Sequence, residues 1–221
     1  ATNSVGTAYG NEIDFTTTAL AGATVTTNEV TVFSYTTATA GGNVTATGGD
    51  AVTARGVCYG TTANPTISGT HTEDGTGIGA FTSNLTGLTS GTKYYVRAYA
   101  TNSTGTEYGA QVEFTTLAVT EPDVSTGAVS SITDVAAKVG GNVTATNGGA
   151  ITERGICWGT SENPTVDDGS AEAELGDDGT GTFTADLTGL TMGTTYYARA
   201  YAKNSAGISY GDAVTFNTLL R

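Results

Sequence analysis

The sequence predicts an all-β protein made of tandem antiparallel β-sandwiches, two of them complete and preceded by the last strands of another. Three observations lead there. Of 221 residues, 47 are Thr and 11 are Tyr, and β-branched and aromatic side chains fit a pleated, half-buried surface. No stretch carries apolar residues at helical spacing, whereas several alternate apolar and polar side chains with period two. The chain also repeats itself. Gly41-Gly42-Asn43-Val44-Thr45-Ala46-Thr47 returns 99 residues later as Gly140-Gly141-Asn142-Val143-Thr144-Ala145-Thr146, and self-similarity at a fixed period marks an array.

The repeat sets the boundaries. Residues 41–67 match 140–166 at 18 of 27 positions, and after a three-residue insertion 81–117 match 183–219 at 24 of 37. Residues 1–17 match 100–116 at 11 of 17. The expected layout is a hairpin and strand remnant of a preceding repeat over 1–18, a full repeat over 19–117 and another over 118–221. The chain reads as a window on a longer array. The junction Leu117-Ala118-Val119-Thr120-Glu121-Pro122 is short enough to restrict swinging of neighbouring modules.

The strands of one repeat follow in order. Val30-Thr31-Val32-Phe33-Ser34-Tyr35 and Gly42-Asn43-Val44-Thr45 read as the early ones. Arg55-Gly56-Val57-Cys58-Tyr59-Gly60 is next, closed by the turn Asn64-Pro65-Thr66. Phe81-Thr82-Ser83-Asn84-Leu85 precedes the clearest strand, where Tyr94, Val96, Ala98 and Ala100 share one parity and Tyr95, Arg97 and Tyr99 the other. Period two places the first set inward and the second on the outer face. The turn Asn102-Ser103-Thr104-Gly105 and the alternation around Val112 and Phe114 complete a hairpin. About seven short strands per 100 residues, separated by turns, describe a sandwich.

The stretch Leu85-Thr86-Gly87-Leu88-Thr89-Ser90-Gly91-Thr92-Lys93-Tyr94, with Val96 and Ala98 after it, resembles the fibronectin type III signature around the tyrosine corner. Leu187, Leu190, Thr194, Tyr196, Ala198 and Ala200 stand in register in the second copy. The resemblance implies that Tyr94 and Tyr196 are buried, each hydroxyl bonded to nearby backbone. The fuller pattern is similar to fibronectin type III-like modules repeated in large bacterial surface proteins, which serve as spacers, adhesin stalks or accessory parts of secreted polysaccharide-degrading enzymes. The fold is implied more strongly than the job. The adhesive tripeptide that some animal modules carry in the last hairpin loop is missing, since these loops read Asn102-Ser103-Thr104-Gly105 and Asn204-Ser205-Ala206-Gly207.

Composition excludes several classes. Eight Lys and Arg stand against 21 Asp and Glu, for a net charge of −13. No basic stripe exists to neutralise phosphates, so nucleic acid is not an expected partner. No apolar run approaches the ~20 residues that cross a bilayer, so direct membrane insertion is not expected. Acidic, Thr-rich and Lys-poor composition suits an extracellular or bacterial cell-surface location.

Candidate chemistry is sparse. With one His, His71, in a loop absent from the second copy, no Ser-His-Asp set is legible, and no carboxylate pair recurs as a cleft would need, so the chain reads as no enzyme. No cofactor is expected. Asp167, Asp168, Asp177 and Asp178 are weak calcium candidates, although their spacing does not fit an EF-hand loop. Tyr95, Arg97 and Tyr99, with Arg55 and Tyr59 beside them, and Tyr197, Arg199, Tyr201, Arg154 and Trp158 in the second copy, form the possible ligand or interface patch. Such aromatics beside Arg either stack on sugar rings or form a cross-strand ladder that stiffens the sheet. Cys58 and Cys157 occupy equivalent positions in separate repeats, too far apart to bridge. If Val57 and Tyr59 point inward, Cys58 points outward, and the reverse. An exposed thiol is a hazard on a secreted protein, which favours Cys58 inward with Tyr59 and Trp158 outward.

Three functions compete. The first is a non-catalytic structural spacer in a long repetitive surface or secreted protein, whose partners are the neighbouring repeats of the same chain. The second is a polysaccharide-binding accessory module whose partner is a surface glycan. The third is a filament subunit in which residues 1–17 complement another copy.

Overall fold

The computed structural model describes residues 1–176 and 178–221. Every regular element among them is a strand. In chain order these are β1 (Thr2–Asn3), β2 (Gly6–Thr7), β3 (Thr24–Thr27), β4 (Val32–Phe33), β5 (Ala38–Ala46), β6 (Ala54–Gly60), β7 (Gly79–Leu85), β8 (Lys93–Asn102), β9 (Gly105–Tyr108) and β10 (Val112–Thr115). The second half adds β11 (Asp123–Ser130), β12 (Ala136–Ala145), β13 (Glu153–Gly159), β14 (Ser170–Glu172), β15 (Gly181–Thr188), β16 (Thr195–Lys203), β17 (Ile208–Tyr210) and β18 (Val214–Asn217). By internal packing the chain forms two units. One comprises Ala1–Phe33, Thr37–Gly87 and Lys93–Thr115, the other Ser34–Thr36, Leu88–Thr92 and Thr116–Arg221.

In the first unit one sheet has β5 at its centre, flanked by β7 on one side and by β3 and β4 on the other. The facing sheet centres on β8, flanked by β6 and by β9 and β10, all antiparallel. Residues 71–74 extend this sheet beyond β6. The Thr72 amide donates to the Val57 carbonyl at 2.9 Å, and the Asp74 amide to the Arg55 carbonyl at 2.8 Å. In the second unit β11-β12-β15 faces β14-β13-β16, with β17 and β18 along β16. The two plans coincide, as repeats so alike require.

Between the sheets lies an apolar core. In the second unit Val139, Val143, Ile156, Leu187, Ala198 and Ala200 are fully enclosed, and each larger aliphatic among them contributes roughly 1.5–3 kcal/mol. Val44, Val57, Leu85, Val96, Ala98 and Ala100 do the same in the first. The alternation read in Tyr94–Ala100 therefore places its inner set where expected.

The first long strand differs from its sequence reading. A strand was expected over 30–35, but pairing runs over Thr24–Thr27 and resumes only at Val32–Phe33. The Thr27 side chain explains the break, because its hydroxyl accepts the Ala98 amide of the facing sheet at 3.0 Å. Thr126 repeats this with the Ala200 amide at 3.0 Å, and β11 shifts register directly after it. A strand that reaches across to the opposite sheet gives up its own ladder there.

Candidate functional site

The expected patch lies along β8 and β16, and the structure separates its members. Arg97 lies over the Tyr108 ring at 4.5 Å and donates from Nε to the Gly109 carbonyl at 3.2 Å. Arg199 lies over Tyr210 at 4.7 Å and donates to the Gly211 carbonyl at 2.8 Å. Tyr95 and Tyr197 are half-buried, and the Lys93 ammonium sits 5.3 Å from the Tyr95 ring. Each cation thus has an aromatic or carbonyl partner within its own sheet, the arrangement of a cross-strand ladder.

Tyr99 and Tyr201 require a correction. Both were expected in the outer patch, and both are buried, at 3% and 0% exposure. The cause is a glycine. Tyr99 pairs with Gly56 and Tyr201 with Gly155, so the outer face opposite each ring is empty and the ring lies across it. A Cβ on Gly56 would stand 2.9 Å from the Tyr99 ring and 2.1 Å from the Thr72 carbonyl oxygen. The additional edge segment then covers the ring. The Tyr99 hydroxyl donates to the Thr72 carbonyl at 2.7 Å, and that of Tyr201 to Glu153 Oε1 at 2.8 Å.

Trp158 and the cysteines are placed opposite to expectation. Trp158 pairs with Ala198 on the core side and packs against the core, so it leaves the outer patch. Cys58 pairs with Arg97 and Cys157 with Arg199, so both thiols lie on the outer side of the sheet. Both are nonetheless fully buried. Cys157 Sγ donates to the Pro164 carbonyl of the turn after its strand at 3.2 Å, and Cys58 is bridged by His71 of the added edge segment. That turn depends on Asn64 and Asn163, held at φ of 58° and 57°, a left-handed conformation that Asn tolerates better than most residues.

Arg55 and Arg154 were expected in the outer patch and lie instead on the core side of their strands, paired with Ala100 and Ala202. Arg154 is buried, and its guanidinium lies over Phe183 at 5.1 Å. It donates to the carbonyls of Glu174 at 2.8 Å, Gly179 at 2.9 Å and Thr180 at 2.7 Å. Arg55 does the same for Ile78 at 2.9 Å and lies over Phe81 at 5.4 Å. These cations brace the loop entering the next strand. Asn102 and Asn204 are buried latches. The Asn102 amide donates to the Ala21 and Thr47 carbonyls, both at 2.8 Å, and that of Asn204 to Thr120 at 2.7 Å and Thr146 at 3.0 Å. Their recurrence in all three copies, with Asn3, was the available signal.

Tyr94 and Tyr196 are buried and stack on Phe114 and Phe216, with ring centroids 5.7 and 5.8 Å apart. The Tyr196 hydroxyl accepts the Thr191 amide at 3.1 Å, closing the corner between the two sheets.

The acidic candidates cap turns. Asp168 Oδ2 accepts from the Thr165 amide at 2.8 Å and its hydroxyl at 3.1 Å. Asp178 Oδ1 accepts from the Thr180 amide at 2.8 Å and its hydroxyl at 2.6 Å, and these bonds hold its carboxyl below the usual range. Asp177 lies outside the described residues. Among the described residues no three His, Cys, Asp or Glu converge as a metal site would need. Shallow cups of about 290 Å³ beside Tyr59 and about 270 Å³ beside Trp158 open at the same turn in each unit.

Burial makes these groups pH-sensitive in one direction. It pushes Cys58 and Cys157 from 9.0 to about 11 and Tyr99 from 10.0 to about 12, and raises Tyr201 as well. A folded-state value above the unfolded one means that the contribution is complete below pH 9 and is lost as pH rises through the folded values. The melting temperature should therefore hold up to pH 9 and fall steeply between 9 and 12. Calorimetry across that window checks it, and the fall should be shallower in Tyr99→Phe, whose ring cannot ionise.

No family model matches the chain, and no curated protein matches it. Among solved structures it is similar to a two fibronectin type-III domain segment from chicken tenascin. That likeness has 16% identity, a TM-score of 0.37, and covers 86% of this chain and 97% of the other. The description of the fold as fibronectin type III-like stands on the sheets themselves. Four strands face four in the first unit and three face five in the second, in the order given above, with a buried tyrosine at the corner where the chain crosses between layers.

Proposed function

We propose that the chain is a non-catalytic spacer segment of a long repetitive protein, displayed on a bacterial surface or secreted. The observation that carries this reading is the internal use of most groups that looked available for a ligand. Tyr99 and Tyr201 fill gaps above glycines, Arg97 and Arg199 stack within their own sheet, and Trp158 belongs to the core side. What recurs between copies is therefore scaffolding, and two similar sandwiches joined by a short segment suit a load-bearing or distance-setting role. Extracellular placement agrees with an acidic, Lys-poor composition.

The test is mechanical. Pulled from its two ends, a single molecule should show two separate unfolding events. Each should release about 300 Å of chain, the contour length of ~90 residues at 3.3–3.6 Å each. Extension without discrete events would defeat the spacer reading, as would saturable binding of a soluble polysaccharide that Trp158→Ala abolishes.

A further inference from the structure

The turn between β12 and β13 holds the chain's sole Asn-Gly pair, Asn147-Gly148. Asn147 stands where the first copy has Gly48. The seat is left-handed in both, at φ of 50° for Asn147 and 75° for Gly48, a conformation that Asn reaches at less cost than most residues with a side chain. The exchange adds a tether. Asn147 Nδ2 donates to the Glu121 carbonyl at 2.7 Å and to Asp123 Oδ1 at 3.2 Å, and so fastens the segment leading into β11. Backbone support at the turn is weak. The Thr120 amide reaches the Asn147 carbonyl, and the Gly149 amide the Thr146 carbonyl, only at 3.3 Å, longer than such bonds usually are. All of these residues belong to the second unit.

The same pair is chemically labile. Glycine has no Cβ, so its amide nitrogen is the least hindered nucleophile a backbone offers, and Gly148 is exposed. Attack of that nitrogen on the Asn147 side-chain carbonyl carbon forms a C–N bond and closes a five-membered imide ring. The C–N bond to the side-chain amide breaks, and its nitrogen leaves as ammonia with the Gly148 amide proton. Water then opens the ring at one of its two carbonyls, giving aspartate or its β-linked isomer. The folded turn restrains this chemistry while Nδ2 keeps both bonds, and local opening of an exposed turn lifts the restraint. The first copy is immune, because Gly48 has no side chain to be attacked.

We propose that Asn147 is a one-way modification site, where deamidation through Gly148 turns a tether into a repulsion and loosens the segment entering β11. The product carries an oxygen where Nδ2 stood, so an acceptor faces the Glu121 carbonyl in place of a donor. It also sets a negative charge beside the Asp123 carboxylate, and like charges this close repel. Asn204 still donates to the Thr120 and Thr146 carbonyls and Ser209 to that of Pro122. The sandwich therefore stays folded while residues 120–123 loosen. Water does not restore the amide, so the altered form accumulates with the age of the molecule.

Ageing of the full chain in warm, mildly alkaline buffer tests this, followed by peptide mass mapping and hydrogen exchange, with Asn147→Gly and Asn147→Asp chains in parallel. The expected product is acid at position 147, divided between aspartate and its β-linked isomer, and formed faster when urea holds the chain unfolded. Asn147→Gly, which copies the first repeat, should form none at that position and keep the thermal transition of the second unit. Aspartate also tolerates the left-handed seat, so Asn147→Asp isolates the effect of charge. In that variant and in the aged chain the Thr120 amide should exchange at least about tenfold faster, because a lost hydrogen bond with a newly unpaired acceptor shifts an equilibrium by a factor of this order. Amides in the middle of β12 and β16 should keep their protection. A chain aged until the exposed Asn3 has converted, with position 147 still an amide, would overturn the proposal. So would an Asn147→Asp chain whose Thr120 amide exchanges as slowly as in the original.

Discussion

Arg154→Ala should cost the second unit about 3–5 kcal/mol, from the loss of a buried cation and its hydrogen bonds. The substitution removes the donors for the Glu174, Gly179 and Thr180 carbonyls and leaves those oxygens facing the underside of the entry loop. It also strips the flat cover from Phe183. Sandwiches of this size are stabilised by only about 5–15 kcal/mol, so the unit's melting temperature should drop by 15 °C or more. Calorimetry resolving the two transitions is the measurement. The transition of the first unit, braced by Arg55 instead, should stay in place. Arg154→Lys should recover little, because one ammonium cannot reach carbonyls spread over a planar fork. A loss under 1 kcal/mol would mean that the loop is held by other contacts.

Tyr201→Ala should be as severe, at about 3–5 kcal/mol for deletion of a buried ring. Its value as a test lies in the contrast with Tyr201→Phe, which keeps the ring over Gly155 and loses only the bond to Glu153, for about 1 kcal/mol. A ligand-binding tyrosine would show the reverse, with stability preserved in both variants and binding lost. Urea unfolding of the two variants separates the possibilities, since a change of midpoint at constant slope is a change in stability alone.

The inner set of β8, the hairpin after it and the crossing at Tyr94 were legible because period two and turn chemistry are local signals. Three other readings went astray, each for a long-range reason. Parity identifies the side of a sheet, and side is not exposure. Tyr99 and Cys58 lie on the outer side of their sheet and are buried, because the segment of residues 71–74 runs along β6 beside both. Gly56 and Gly155 are the seats for rings that arrive from the paired strand. The break after Thr27 depends on a hydroxyl bonding to the opposite sheet, and nothing in Thr27's neighbours announces a partner 71 residues away. Arg55 and Arg154, each within a strand-like run, gave no local hint of the carbonyls they hold.

That last feature bears on the conditions the molecule can tolerate. Acid protonates carboxylates and concentrated salt screens exposed ion pairs, whereas the hydrogen bonds of the Arg154 guanidinium run to backbone carbonyl oxygens, which do not titrate. Among the described residues, surface salt bridges join Lys93 to Glu113, Lys138 to Asp186 and Arg221 to Asp134, and exposed pairs of this kind contribute about 0–1 kcal/mol each. The Arg154 brace, buried under its entry loop, should therefore respond less to salt than these exposed pairs do.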